Sequence, residues 1–470
     1  MKQPMSERPQ EEMIQWAIDL AVEHHSAGRL TQAESMYKQI LQADPNQPIA
    51  IQLLGVIAHQ LGKNDIAVDL IRKALAIEPT YAEAHNNLGL ALQTLGRQAD
   101  ALASYRRALD VNPRYPEAHN NVGTILRELG QFQEASDSFR AALSINPDSA
   151  DLYNNLGLTL QELGRLSEAT DQYTKALAIH PDHPEANYNF GNTLRQLQRL
   201  DEAIECLVRS ESSTSNQKTS AVLLECYYIK QDPIGFSRQL KKISKMQGFN
   251  FRAASISAFV SHQLGTNNLY EFCKHPIDLV TIYDLLDSGE ISSDLITQIE
   301  TMIKNNSNNE VLAPGHISLG FKSTGNLFDE PSPIVNIFEQ IIRRCIRKFV
   351  HQHDNSSKDR IFRNWPKNYA LNGWYIRLLS GGEVTAHVHD GWISGVFYLR
   401  VPTAKENNAG NIKLSLNGYN LPVINNDFPT LVIETKPGLL VLFPSSVPHQ
   451  VIPFFGNDER ISISFDMIPK

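Results

Sequence analysis

Through roughly the first two hundred residues, apolar side chains recur three and four positions apart, and the pattern restarts every 34 residues. One clear unit is AEAHNNLGLALQTLGRQADALASYRRALDVNP (82–113). Its LGL and LASY stretches predict two amphipathic helices, and the TLGR glycine marks the turn between them. Four residue series keep the step in phase. Prolines stand at Pro45, Pro79, Pro113, Pro147 and Pro181, and alanines at Ala33, Ala67, Ala101, Ala135, Ala169 and Ala203. One glycine series runs Gly55, Gly89, Gly123, Gly157, Gly191; the other runs Gly28, Gly62, Gly96, Gly130, Gly164 and gives way to Gln198. Small residues such as Gly89 and Ala101 let paired helices approach closely, and the closing proline cannot continue a helix.

These units resemble the tetratricopeptide repeat. The resemblance covers about 11–208 with six repeats, strongest in the four central units and weaker at the ends, where terminal repeats cap a stack. It implies an α-solenoid without catalytic chemistry of its own, whose concave face binds a protein or peptide. Asn87, Asn121, Asn155 and Asn189 precede the Leu/Val/Phe-Gly step in successive repeats. In similar repeats, notably those of O-GlcNAc transferases, asparagines here line the inner groove, where an amide can both donate to and accept from an extended backbone. The other reading is that these amides bond neighbouring helices.

The phase is lost after about 208. SESSTSNQKTS (210–220) is a polar run expected to be a linker or loop. From 221 to 305 helical patches such as AVLLECYYIK and LITQIETMIK occur without a repeat, so 209–310 reads as a helical bridge that caps the solenoid and joins it to the C-terminal region. NNSNNE (305–310) is a second break, and PIVNIFEQIIRRCIRKFV predicts another helix. His262, His275 and His316 stand alone and carry no site expectation.

From about 361 the period changes to two. WISGVFYLRV, NIKLSLNG, TLVIETKPG, LLVLFPSS, HQVIPFFGND and RISISFDMI read as short strands separated by Gly, Asn, Asp and Pro, which without intervening helices indicates a sandwich or barrel. The fold class expected is therefore multidomain α + β: an N-terminal α-solenoid of repeat helix pairs (11–208), a helical bridge (209–310) and a C-terminal β barrel (311–470).

Composition narrows the classes without choosing among them. At 470 residues, 42% hydrophobic and 20% charged, the chain is ordinary globular material of two to four domains. A formal charge of -8 argues against a general nucleic-acid binder. Cys206, Cys226, Cys273 and Cys345 never form a Cys-x-x-Cys pair, which disfavours a disulfide scaffold or structural zinc and fits a reducing compartment. The polar MKQPMSERPQEE start and the lack of an apolar run near the roughly 18 residues of a membrane span lead us to expect a soluble, cytoplasmic protein.

Candidate chemistry lies in the last hundred residues. TAHVHDGW places His387 and His389 two apart, on the same side of an extended chain, so both imidazoles can reach one ion. His449 follows the apolar strand LLVLFPSS and can supply a third ligand from a neighbouring strand. Arg460 comes eleven residues later and heads RISISFD, where alternation puts Arg460, Ser462, Ser464 and Asp466 on one face and Ile461, Ile463 and Phe465 on the other. A guanidinium beside a hydroxyl is a receptor for a carboxylate, which the planar fork of Arg binds bidentately. Trp374, Tyr375 and Trp392 flank the His-x-His segment and either wall a pocket or fill the core.

Together, HVHDGWISGVFYL and PGLLVLFPSSVPHQVIPFFGNDERISISFD resemble the double-stranded β-helix (jelly-roll, cupin-like) 2-oxoglutarate/Fe(II) oxygenases, and more specifically a bacterial group in that superfamily. The resemblance covers roughly 310–470. It implies a 2-oxoglutarate-dependent dioxygenase with Fe(II), 2-oxoglutarate and O2, in which His387 is the first ligand, His449 the distal one, and Arg460 with Ser462 clamps the distal carboxylate of 2-oxoglutarate. The family pattern has Asp or Glu two residues after the first His, and this chain has His389. Three arrangements stay open: all three histidines bind; the register shifts so that Asp390 enters; or two histidines suffice, as in the similar aspartyl/asparaginyl β-hydroxylases. The function implied is a hydroxylase whose repeats recruit a protein substrate or partner. The alternatives are a non-catalytic adaptor with a degenerate or sensing barrel, and a cupin-type metalloenzyme that does not use 2-oxoglutarate. No membrane or nucleic-acid partner is expected, and the substrate class stays open because fold does not fix it.

Overall fold

The computed structural model describes residues 10–213, 217–246, 248–270, 272–273, 275–305, 310–312, 317–354, 360–403, 408–419 and 421–470. The chain divides into two units, 1–197 and 198–470.

In the first unit the 34-residue period becomes helix pairs. These are α1 (Gln10–Ser26) with α2 (Leu30–Ala43), α3 (Pro48–Gln60) with α4 (Asn64–Ile77), and α5 (Ala82–Thr94) with α6 (Gln98–Val111). They continue with α7 (Pro116–Glu128) and α8 (Phe132–Ile145), then α9 (Ala150–Glu162) and α10 (Leu166–Ile179), and end on α11 (Pro184–Gln196). The two glycine series have different causes. Within α3, α5, α7 and α9, glycine makes room for a large side chain of the helix that follows. A Cβ on Gly89 would lie 2.5 Å from the Tyr105 ring, one on Gly123 would lie 2.9 Å from Phe139, and one on Gly157 would lie 2.7 Å from Tyr173. At the turn, Gly28, Gly62, Gly96, Gly130 and Gly164 take φ of 72 to 76°, the left-handed region that ends a helix and costs glycine least. Gln198 holds the same left-handed conformation, with φ 61°.

The second unit opens with α12 (Leu200–Ser213), α13 (Gln217–Ile229), α14 (Pro233–Ile243) and α15 (Phe251–Leu264). Most of SESSTSNQKTS is therefore helical; its residues 214–216 lie outside the described residues. The polar run folds because its side chains find partners within the run and on α14. Buried Glu211 accepts from Ser220, from Gln239 Nε2 at 2.7 Å and from Lys242 Nζ at 2.6 Å.

Strands β1 (Thr281–Asp284), β2 (Glu310–Leu312) and β3 (Ile317–Ser323) follow, with α16 (Ser293–Asn305) between the first two and α17 (Pro333–Asp354) and α18 (Arg360–Arg363) after the third. Then come β4 (Tyr369–His387), β5 (Ile393–Arg400), β6 (Ile412–Ser415), β7 (Thr430–Ile433), β8 (Leu439–Pro444), β9 (His449–Val451) and β10 (Arg460–Pro469). The strands pair antiparallel in the order β1-β8-β5-β10-β4-β9-β6-β7, with the β2–β3 hairpin also on β4. The result is a half-barrel of jelly-roll type, as the period-two segments imply.

The stretch between repeats and barrel is drawn into the barrel's own packing. β1 adds to the sheet edge at β8, and one apolar core runs from Ala221 and Phe259 through Phe338 and Ile342 to Trp392, Phe397 and Phe465. Helices α13 and α15 also hold the β6–β7 loop. Tyr228 Oη donates to the Pro422 carbonyl at 2.8 Å, Gln263 Nε2 donates to that of Asn425 at 2.8 Å, and a ring nitrogen of His262 lies 2.6 Å from that of Asp427. His262 is thus a fastening residue. His275 is exposed beside a short 3-10 turn, and His316 lies outside the described residues. Among the described residues no helix is long and apolar enough to cross a membrane.

Candidate metal centre

The long strand β4 serves two parts of the sheet. Its first half pairs with β10, from Tyr369 opposite Pro469 to Leu378 opposite Arg460, and its last residues pair with β9, where His387 stands opposite His449. The change of partner follows the Ser-Gly-Gly stretch, where Gly381 has φ 77°. That bend carries the HVHD segment to the mouth of the half-barrel.

There His387, His389 and His449 offer ligand atoms all within 4.8 Å of one another. His387 Nε2 and His389 Nε2 are 3.0 Å apart, and the ring centroids of His387 and His449 are 4.4 Å apart. Each Nδ1 has an acceptor: the Thr385 carbonyl at 2.9 Å for His387, the Val447 carbonyl at 3.3 Å for His449, and Asp466 Oδ1 at 2.7 Å for His389. Each Nδ1 can therefore donate to an oxygen, and the Nε2 atoms of His387 and His389 face one another. Metal-ligating imidazoles are commonly oriented in this way, with the second ring nitrogen held by a carbonyl or a carboxylate. Adjacent nitrogens held about 2.1 Å from an octahedral ion lie ~3 Å apart, the spacing seen between His387 and His389. Asp390 is exposed at the rim and stands outside this group of three. The carboxylate near the centre is Asp466, one step back. Its Oδ1 also accepts from Ser394 Oγ at 2.7 Å, and Ser394 is 2.7 Å from Ser445 Oγ.

The same cavity, about 510 Å³, is lined further along β10 by Arg460, Ser462 and Ser464. Alternation on β10 falls as the pattern requires: these residues and Asp466 face the cavity, while Ile461, Ile463, Phe465 and Met467 are in the apolar core. Arg460 is 1% exposed. Its Nε donates to the Gly410 carbonyl at 3.1 Å, an Nη donates to Ser462 Oγ at 3.1 Å, and the guanidinium lies 4.9 Å from the centre of the Tyr398 ring. Among the described residues no carboxylate pairs with it, and burial pulls its pKa below the ordinary arginine value. A buried cation without a counter-ion is costly unless an anion completes it.

Of the three aromatic candidates, Trp374 lines the cavity and stacks on His389 with centroids 5.4 Å apart. Tyr375 and Trp392 belong to the apolar core, where Trp392 meets the rings of Phe249, Phe251 and Phe272. The sequence pattern put Asp466 on the cavity face, but its bond to His389, 77 residues away, has no local signal. Ser394 and Lys322, which lies on β3, had none either.

In the repeats, Asn121 Nδ2 donates to Asn86 Oδ1 at 2.9 Å, Asn155 to Asn120 at 3.0 Å and Asn189 to Asn154 at 2.9 Å. One N–H of each of these three amides is thus used between neighbouring repeats, and the side chains, like Asn87, stay half-buried.

Residues 372–466 match the family described as "Putative 2OG-Fe(II) oxygenase". Tetratricopeptide-repeat families match 55–96, 82–115, 104–135, 123–164 and 148–212. Similar solved structures include pilF of Pseudomonas aeruginosa, at 21% identity over 45% of this chain and 96% of that one, TM-score 0.41. MamA matches at 26% over 37% and 94%, TM-score 0.32. YrrB, described as a TPR protein with an unusual peptide-binding site, matches at 20% over 39% and 94%, TM-score 0.35. No curated protein matches the chain. The chain therefore carries tetratricopeptide repeats followed by a domain that matches the 2OG-Fe(II) oxygenase family.

Proposed function

We propose that this protein is an Fe(II)- and 2-oxoglutarate-dependent oxygenase, a hydroxylase whose repeats recruit a protein substrate or partner. The observation that carries the reading is one cavity lined by three converging histidines and by a buried arginine that has no counter-ion among the described residues. His387, His389 and His449 fit the iron, and Arg460 with Ser462 fits the distal carboxylate of 2-oxoglutarate. When bound, iron with 2-oxoglutarate and O2 supplies the oxidation: one oxygen atom enters a substrate C–H bond, the other enters succinate, and CO2 leaves.

The chain's own residues bind, orient and exclude water. Arg460 and Ser462 hold the co-substrate by a charge-assisted pair from the strand next to β4, which fixes its register against the histidines. Asp466 holds His389 by Nδ1, and Ser394 holds Asp466. Val396, Ile412 and Val451 give part of the cavity wall an apolar surface, which disfavours water there. Tetratricopeptide repeats generally bind proteins or peptides, which supports a polypeptide substrate or anchor.

The test is turnover of 2-oxoglutarate to succinate by the full chain with Fe(II) and O2, and its loss in His449→Ala. Absence of iron binding, 2-oxoglutarate binding and turnover in the wild type would sink the proposal.

A further inference from the structure

A second cation faces the same cavity. Lys322 on β3 pairs with Ile376 on β4, which pairs with Ser462 on β10, so the three stand in one cross-strand row on one face. Its Nζ lies 4.4 Å from the centre of the Trp374 ring, and that ring stacks on His389. The lysine is half-buried, and burial lowers its pKa. Among the described residues no carboxylate comes within ion-pair distance of it. Asp466 lines the same cavity and its charge acts on Lys322 without a salt bridge, its Oδ1 being taken by His389 and Ser394, and Asp390 is exposed at the rim.

We infer that Lys322 is a specificity residue that receives an oxyanion, a carboxylate or a phosphoryl group, carried by the substrate. The inference rests on the oxygenase reading, which supplies the rest of the charge balance. There, the two carboxylates of 2-oxoglutarate are taken by the metal and by Arg460. The Lys322 ammonium then remains on the Trp374 face with the Asp466 charge acting on it but no salt bridge formed. An ammonium on an indole is held in place but not neutralised. A substrate anion at Lys322 would set the distance between that anion and the carbon presented to the metal. A neutral analogue would leave the ammonium desolvated and unpaired, which penalises binding.

The experiment uses the full chain, anaerobically loaded with Fe(II) and 2-oxoglutarate and again without either. Equilibrium dialysis follows radiolabelled inorganic phosphate in one arm and acetate in the other. Lys322→Gln should weaken binding of at least one anion by about tenfold, the loss of one charge-assisted contact, and Lys322→Arg should restore it. The affinity for 2-oxoglutarate, read from the absorbance band of its iron complex, should be unchanged in Lys322→Gln. The arm that responds identifies the anion as phosphoryl or carboxylate. Equal anion binding in wild type and Lys322→Gln, or no binding of either anion, would overturn the inference, as would a loss confined to 2-oxoglutarate itself. Failure of the wild type to bind iron and 2-oxoglutarate would count against the oxygenase reading instead, while the unloaded titration still reports on Lys322.

Discussion

His389 Nδ1 lies 2.7 Å from Asp466 Oδ1, and both side chains are about nine-tenths buried. The family pattern expects a carboxylate at position 389; here it stands behind the imidazole instead. Asp466→Asn keeps the shape, removes the charge and weakens the acceptor. Metal affinity should fall about tenfold to a hundredfold, the usual cost of losing such a partner. Anaerobic Fe(II) titration measures it, with circular dichroism to show that the fold is kept. Unchanged affinity would mean that Asp466 only packs.

Asp390 is exposed and outside the histidine group, so Asp390→Asn should leave Fe(II) affinity within about twofold, as for most surface changes. His389→Asp should not rebuild the family's usual centre. It would set a second carboxylate beside Asp466, and like charges in a shared buried site resist ionisation. Weaker iron binding than wild type is expected, and tighter binding would overturn the three-histidine arrangement.

Arg460→Gln separates a 2-oxoglutarate enzyme from a metalloenzyme that does not use it. Removing one partner of a buried charged pair costs about 2–5 kcal/mol, so the KM for 2-oxoglutarate should rise by at least about thirtyfold. Arg460→Lys should recover only part of this, because an ammonium cannot present the planar fork. An unchanged KM in Arg460→Gln would exclude Arg460 from co-substrate binding.

Much of this fold and site is legible in the sequence. The 34-residue step implies the helix pairs, and period-two alternation puts Arg460, Ser462, Ser464 and Asp466 on one face because strand geometry is local. The three histidines stand out because two are neighbours in sequence and the third follows a strong apolar strand. What escapes is long-range. TIYD (281–284) is too short to stand out as a strand, and it forms because β8 offers an edge. YALNGWYIRLLSGGEVTAH holds the change of partner of β4 from β10 to β9 and has no uniform period. Lys322, Ser394 and Asp466 acquire their roles from strands far away in sequence. SESSTSNQKTS looks like a linker because its polarity is visible in the sequence and its hydrogen-bond partners are not.

The two glycine series should respond differently to alanine. Gly89→Ala drives a Cβ against the Tyr105 ring and should destabilise the α5–α6 pair by about 1–3 kcal/mol. Gly96→Ala meets no atom within 4 Å and costs only the left-handed backbone, about 1 kcal/mol. Gln198→Gly should gain about as much, because Gln198 already bears that strain. Amide hydrogen exchange in the affected helices reads all three. A Gly89→Ala variant no worse than Gly96→Ala would refute the packing account.

Acid should weaken the fold through His353. This residue, on α17, lies with its ring centroid 4.9 Å from that of Phe349 and 6.0 Å from that of Phe362, and its Nε2 is 2.9 Å from Thr281 Oγ1 on β1. Burial holds its pKa below the ordinary histidine value. In the unfolded chain it titrates near about 6.5, so above that pH both states are neutral and the shift contributes nothing. As pH falls through about 6.5 the unfolded chain takes up the proton first, and stability drops until the folded side chain is protonated too. His353→Gln removes this term. Its Tm should fall less steeply than that of the wild type between about pH 6.5 and 5, even if it starts lower at neutral pH. Parallel Tm profiles would show that His353 does not contribute to the acid sensitivity of the fold.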